Sequence, residues 1–172
     1  MRTLVVYESW FGNTRELAET VAEALADEGE VTVLSVDDPP PALDEFDLLV
    51  IGAQTHVHGL SSGMSRKGAI EQRGDAGEPG IGVRGWIDAL PNGARGPRVA
   101  AFDTRVNKPV LLVGSAARGI SRRLRQRGYA VAAEPESFFV RDTPGPLEAG
   151  ELERAAEWGR ALVNEVAGVA TA

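Results

Sequence analysis

The sequence predicts an α/β protein built on a doubly wound parallel sheet with helices on both faces. Three observations carry this. Apolar runs such as Leu4 to Tyr7 and Leu48 to Ala53 recur without polar alternation, and strands covered on both faces need none. Segments with helical spacing separate the runs. Polar stretches follow Tyr7, Ala53 and Phe102, at the strand ends where such sheets bind ligands.

Taken in order, Leu4 to Tyr7 is expected to be a central strand. The helix after it places Leu17, Val21 and Leu25 on one face, with Ala18 and Ala22 small enough to let a sheet approach and Glu16, Glu19 and Glu23 turned to water. Gly29 is expected to end that helix, and Val31 to Val36 to form a second strand. Asp37-Asp38-Pro39-Pro40-Pro41 then stops regular structure. Leu48 to Ala53 is the third strand.

Residues 60–85 are rich in glycine, serine and charge and have no sustained periodicity, which predicts a long excursion of functional kind. Gly80-Ile81-Gly82-Val83-Arg84-Gly85 spells the dinucleotide fingerprint. That fingerprint must follow a strand and open a long helix, whereas Glu78-Pro79 precede it here and Pro91 closes a short one.

Arg98 to Phe102 is the fourth strand. Val110 to Val113 fits either an extension of the sheet or a segment packed beside the next helix. Gly114-Ser115-Ala116 opens a helix running to about Arg127 and ended by Gly128. Tyr129 to Ala133 and Ser137 to Val140 read as one interrupted edge strand, a position that suits Pro135. The last helix runs from about Leu147 to Val166, with Leu152, Ala155, Leu162, Val163 and Val166 at helical spacing. Trp86 and Trp158 fall on helices and are expected in the core or at an interface.

At 172 residues the chain fits a single domain, 1–172. Its formal charge of −7 argues against a nucleic-acid-binding surface over the whole molecule. No apolar run approaches a membrane span, and Met1-Arg2-Thr3 leads into a strand without a signal-peptide pattern, so the cytoplasm is the expected location. The absence of cysteine excludes disulfides, thiolate nucleophiles and cysteine-held zinc or iron–sulfur clusters. It also excludes a low-molecular-weight tyrosine phosphatase, which needs a cysteine in its phosphate loop.

Between the first strand and helix lies Ser9-Trp10-Phe11-Gly12-Asn13-Thr14. The first N–H groups of a helix lack intrahelical acceptors and sit at the positive end of its dipole. Ser9 and Thr14 add hydroxyls, Gly12 permits positive φ, and no acidic residue intervenes. The stretch fits a phosphate cradle and an ordinary cap made by Ser9 or Asn13 equally well.

With these residues in place the chain resembles the flavodoxin family, whose phosphate loop has the form Ser/Thr-x-Thr-Gly-x-Thr. The departure is Phe11, where threonine is usual. The resemblance covers nearly the whole chain and implies a three-layer fold with five parallel strands in the order 2-1-3-4-5. It implies flavin mononucleotide (FMN) as cofactor, its phosphate held by Ser9, Gly12, Asn13 and Thr14. Trp10 either caps the ribityl-phosphate end or packs against a neighbouring helix. Gln54, Thr55, His56, Val57 and His58 on one side, and Asp103, Thr104 and Arg105 on the other, would border the ring. Many flavodoxins place Trp and Tyr there, and these loops have neither. Arg105 beside the ring implies a higher potential than usual, because a cation stabilises the added negative charge.

The activity so implied is electron transfer between a reductase and an acceptor, with redox proteins or a small redox-active substrate as partners. Two alternatives stand beside it: an FMN-dependent oxidoreductase of the quinone-reductase or protoporphyrinogen-oxidase kind, and a non-redox module for a phosphate ligand. His56-x-His58 offers too few ligands for a metal site. Arg118, Arg122, Arg123, Arg125 and Arg127 crowd one helix, as a solvated face usually does. A minority of such clusters hold an acidic partner or a nucleotide phosphate.

Overall fold

The computed structural model describes residues 1–38, 41–56, 59–63, 67–68 and 80–167. Val57, His58 and most of the excursion at 60–85 lie outside them. Five parallel strands, β1 (Arg2–Glu8), β2 (Glu30–Ser35), β3 (Leu48–Gln54), β4 (Arg98–Val106) and β5 (Glu136–Val140), stand in the order β2-β1-β3-β4-β5. The helices are α1 (Asn13–Ala26), α2 (Gly82–Ala89), the single turn α3 (Val110–Val113), α4 (Ala116–Gln126) and α5 (Glu151–Ala167).

Alternate residues of the central strands feed two cores, which makes the architecture three-layered. Leu4, Val6, Leu49 and Ile51 pack under Val83, Trp86 and Ile87 of α2 and Ile120 and Leu124 of α4. Val5, Leu48, Val50 and Phe102 pack under Leu17, Val21 and Leu25 of α1 and Ala155 and Leu162 of α5. Burying each large aliphatic side chain contributes about 1.5–3 kcal/mol. Trp86 is buried in the first core, and Trp158 closes the second with rings edge-on to Phe102 and Phe138 at 5.9 and 6.1 Å.

Several boundaries differ from expectation for physical reasons. β4 continues four residues past Phe102, because Asp103 to Val106 pair with Ser137 to Val140 of β5. Val110–Val113 does not extend the sheet: it is a single helical turn that leaves Leu111 96 % and Leu112 65 % exposed. Tyr129 to Ala133 contributes one bridge, Val131 to Val99, so β5 itself begins only at Glu136. The last helix starts at Glu151, later than Leu147, which instead bridges Val140. Arg154 then clamps α5 to β5, reaching Glu136, Glu151 and the Ser137 carbonyl at 2.5 Å each.

The winding direction reverses between β1 and β3, since the chain leaves β1 for β2 on one side and returns to β3 on the other. The polar loops after β1, β3 and β4 therefore open at one end of the sheet.

Candidate functional site

At that end lies a crevice of about 300 Å³, within the range of small-molecule sites. Trp10, Phe11 and Asn13 line it from the first loop, Gln54, Thr55 and His56 from the loop after β3, and Thr104 and Arg105 from β4. The three polar loops expected to meet do meet.

The first loop is held open at the amino end of α1. Gly12 is the N-cap at φ 92°, and no side chain caps the helix. The cap reading for Ser9 or Asn13 is therefore not what the fold adopts. The first intrahelical bond runs from the Glu16 N–H to the Gly12 carbonyl at 2.9 Å, so the N–H groups of Asn13, Thr14 and Arg15 have no intrahelical acceptor. A Cβ on Gly12 would meet no heavy atom within 4 Å. The space above the loop is open.

Polar atoms are buried in this loop and in the strand ends beside it. Ser9 Oγ and Gln54 Nε2 are buried and without hydrogen-bond partners, an arrangement that burial normally penalises. Gln54 Oε1 accepts from the Trp10 N–H at 3.1 Å, which ties the first loop to the end of β3. Thr14 Oγ1 and Thr104 Oγ1 lie 2.9 Å apart. One hydroxyl hydrogen makes that bond, and the other is left to donate elsewhere.

Trp10 is half-buried at the crevice. Its ring meets His56 edge-on at 4.6 Å, and the two side chains form one wall of the crevice. Burial lowers the His56 pKa from its ordinary value, while the Glu8 carboxylate pulls it the other way. Glu8 itself is buried and accepts from Ser61 Oγ at 2.6 Å and from the Val83 N–H at 2.8 Å. This internal carboxylate occupies the start of α2, so the fingerprint-like Gly80 to Gly85 segment has its helix terminus already filled.

Asp103 lies beneath the crevice rather than in its wall. It is fully buried, and its Oδ2 accepts from Ser115 Oγ at 2.6 Å, Thr55 Oγ1 at 3.0 Å and the Ala117 N–H at 2.9 Å. Thr55 Oγ1 in turn accepts from the Ala116 N–H at 2.9 Å. Asp103 thus fixes the loop after β3 against the amino end of α4. Arg105 is similarly engaged: Nη1 donates to the Lys108 carbonyl at 2.7 Å, and the guanidinium stands 5.0 Å over the Phe139 ring.

The wall that the sequence reading missed comes from after β5. Val140, Asp142, Thr143 and Pro144 line the crevice, as do Val106, Leu112 and Val113. Asn13 Nδ2 donates to the Pro144 carbonyl at 2.6 Å and draws this loop against the first one. The rule that ligands bind at strand ends applies equally to β5 and was the available signal. Among the described residues no cluster of three potential metal ligands occurs, and no helix is long and apolar enough to cross a membrane.

Comparison with known proteins agrees with this geometry. Residues 4–66 match the family described as Flavodoxin domain. A flavodoxin from the domain Archaea superposes with a TM-score of 0.66 at 19% identity, over 96% of this chain and 99% of that one. Oxidised flavodoxin 1 from Bacillus cereus gives 0.65 at 21% identity, over 95% and 98%. A WrbA-like flavodoxin from Agrobacterium tumefaciens gives 0.61 at 20% identity, over 97% and 98%. No curated protein matches the chain. The chain thus has the flavodoxin-like fold over nearly its whole length, and its residues 4–66 match the flavodoxin domain.

Proposed function

We propose that the crevice binds FMN and that the protein uses it to carry electrons between a reductase and an acceptor. The observation that carries the reading is the uncapped amino end of α1, opening beside the buried, partnerless Ser9 Oγ. This donor set fits a phosphomonoester: backbone N–H groups, a helix dipole and hydroxyls, with no carboxylate in the loop itself. Ser9, Gly12, Asn13 and Thr14 hold the phosphate, chiefly through backbone N–H groups, since the Asn13 amide is engaged with Pro144.

The flavin supplies the redox chemistry, and the residues here bind, orient and tune it. Gln54, Thr55 and His56 border the ring on one side. Thr104 and Arg105 border it on the other, over a floor fixed by Asp103. Trp10, which stands against His56, supplies an aromatic face that the ring loops lack. Phe11 takes the place of a third hydroxyl, and its neighbour Gly12 leaves the approach open.

Exposed Leu112, which lines the crevice, and its exposed neighbour Leu111 present apolar surface to a redox partner. A second reading, an FMN-dependent oxidoreductase, draws on the same feature: Leu112, Val113 and Val140 give the crevice an apolar wall against which an organic substrate can lie.

The test is an absorption spectrum of freshly purified protein after desalting. Retained flavin bands are expected, and a colourless protein that leaves added FMN fluorescence unchanged contradicts the reading. NAD(P)H or quinol oxidation by the isolated holoprotein separates the enzyme from the carrier.

A further inference from the structure

A second cleft, of about 410 Å³, lies between the loop after β3, α2 and α4. Gly59 and Leu60 form one side, Arg84 comes from α2, and Arg118, Arg122 and Arg123 come from α4. Arg118 and Arg122 are four residues apart and so share one face of the helix. Arg84 faces them across the cleft and donates to the Leu60 carbonyl at 3.4 Å. Only Arg123 is matched by an acid, with Nη1 3.5 Å from Asp88, among the four arginines and the described residues.

In a protein of formal charge −7, this concentrates positive charge in one concavity. A solvated helix face does not account for it, because Arg84 reaches it from a different helix. Nor, among the described residues, do neighbouring carboxylates cancel it. Arg125, outside the cleft, is paired with Glu134 at 3.3 Å, and the buried Glu8 is taken up by Ser61 and the Val83 N–H. The cleft is small and concave, the shape of a small-molecule site rather than of a flat protein contact. Guanidinium forks converging from two helices match the several oxygens of linked phosphates, each able to accept in pairs.

We propose that this cleft binds the diphosphate or triphosphate group of a small molecule, such as a nucleotide. The site is separate from the crevice and does not depend on its occupant. The two share a wall, since His56 and Gly59 exchange backbone hydrogen bonds at 2.7 and 3.0 Å.

The test is calorimetric titration of inorganic pyrophosphate into the full-length protein held in excess FMN, which occupies the first-loop cradle if that cradle takes FMN. Pyrophosphate is expected to bind, orthophosphate at least tenfold more weakly. Arg118→Ala with Arg122→Ala should weaken pyrophosphate binding at least tenfold and leave FMN fluorescence quenching unchanged, while Arg125→Ala should leave both unchanged. Equal affinity in the double variant overturns the proposal. So does binding seen without FMN and abolished by it, which assigns the anion to the first loop. Binding of poly-glutamate that depends on Arg118 and Arg122, with no binding of pyrophosphate, also overturns it in favour of an acidic protein partner. If FMN itself does not bind, the pyrophosphate comparison between wild type and double variant still decides the matter.

Discussion

The Asp103 carboxylate sits 2.6 Å from the Ser115 hydroxyl, fully buried, and binds the end of β4 to the start of α4. Through Thr55 it holds the loop after β3 as well. A residue of the ring loops by sequence is therefore the support on which the crevice floor rests. Removing it strands three donors. Asp103→Ala is expected to destabilise the fold by about 2–4 kcal/mol, measured by urea denaturation. A loss below about 0.5 kcal/mol is the result that contradicts the role.

The Thr14 to Thr104 hydroxyl pair makes a separable prediction. Thr104→Val should cost about 1–2 kcal/mol of stability, because Thr14 loses a hydroxyl partner in a buried place. Thr14→Val should cost a similar amount and, in addition, weaken FMN. Parallel stability and flavin titrations of the two variants distinguish a structural hydroxyl from a ligand-facing one.

His56 gives a pH dependence whose sign is determined. Burial lowers its pKa in the folded state, so the unfolded chain takes up the proton first as the medium is acidified. The associated stability is present above the unfolded value, about 6.5, and is lost as pH falls towards the folded one. Wild type should therefore lose stability relative to His56→Gln between pH 8 and pH 5. Glu8 opposes the shift, and NMR titration of Glu8→Gln should place the His56 pKa lower still. A rise contradicts the electrostatic assignment.

Gly52 and Phe102 are cross-strand neighbours, and a Cβ on Gly52 would fall 2.2 Å from the Phe102 ring. Gly52→Ala should overpack the sheet and cost about 1–3 kcal/mol. Phe102→Leu in the same chain should recover part of that loss, and thermal denaturation of the single and double variants reads the coupling.

Arg105 is held by its loop carbonyls and Phe139 at the crevice wall. Under the proposed function, Arg105→Ala should lower the flavin midpoint potential, because a cation near the ring favours the reduced state. A potentiometric titration with no downward shift removes Arg105 from that role.

The sheet was legible because β1 and β3 are apolar without interruption, and the helices because Leu17, Val21 and Leu25, or Leu152, Ala155 and Leu162, repeat at helical spacing. Val110–Val113 was not, since four apolar residues carry no period, and their exposure depends on where the β4 loop ends. The crevice was legible in three of its walls through the strand-end rule. Its fourth wall is made by Asn13 grasping Pro144, residues 131 positions apart, and no local pattern records such a contact. Trp10 was seen in the loop, but its partner His56 was set by the tertiary fold. Asp103 shows the converse: its loop was identified, while its burial under Ser115 and Thr55 follows only from packing.

The central claim is that the amino end of α1 recognises the phosphate of a flavin. Side-by-side fluorescence titrations of flavin-free protein with FMN and with riboflavin test it most directly, since the two ligands share the ring and differ in the phosphate. FMN is expected to bind at least a hundredfold more tightly than riboflavin. Equal affinities, or no binding of either, contradict the account.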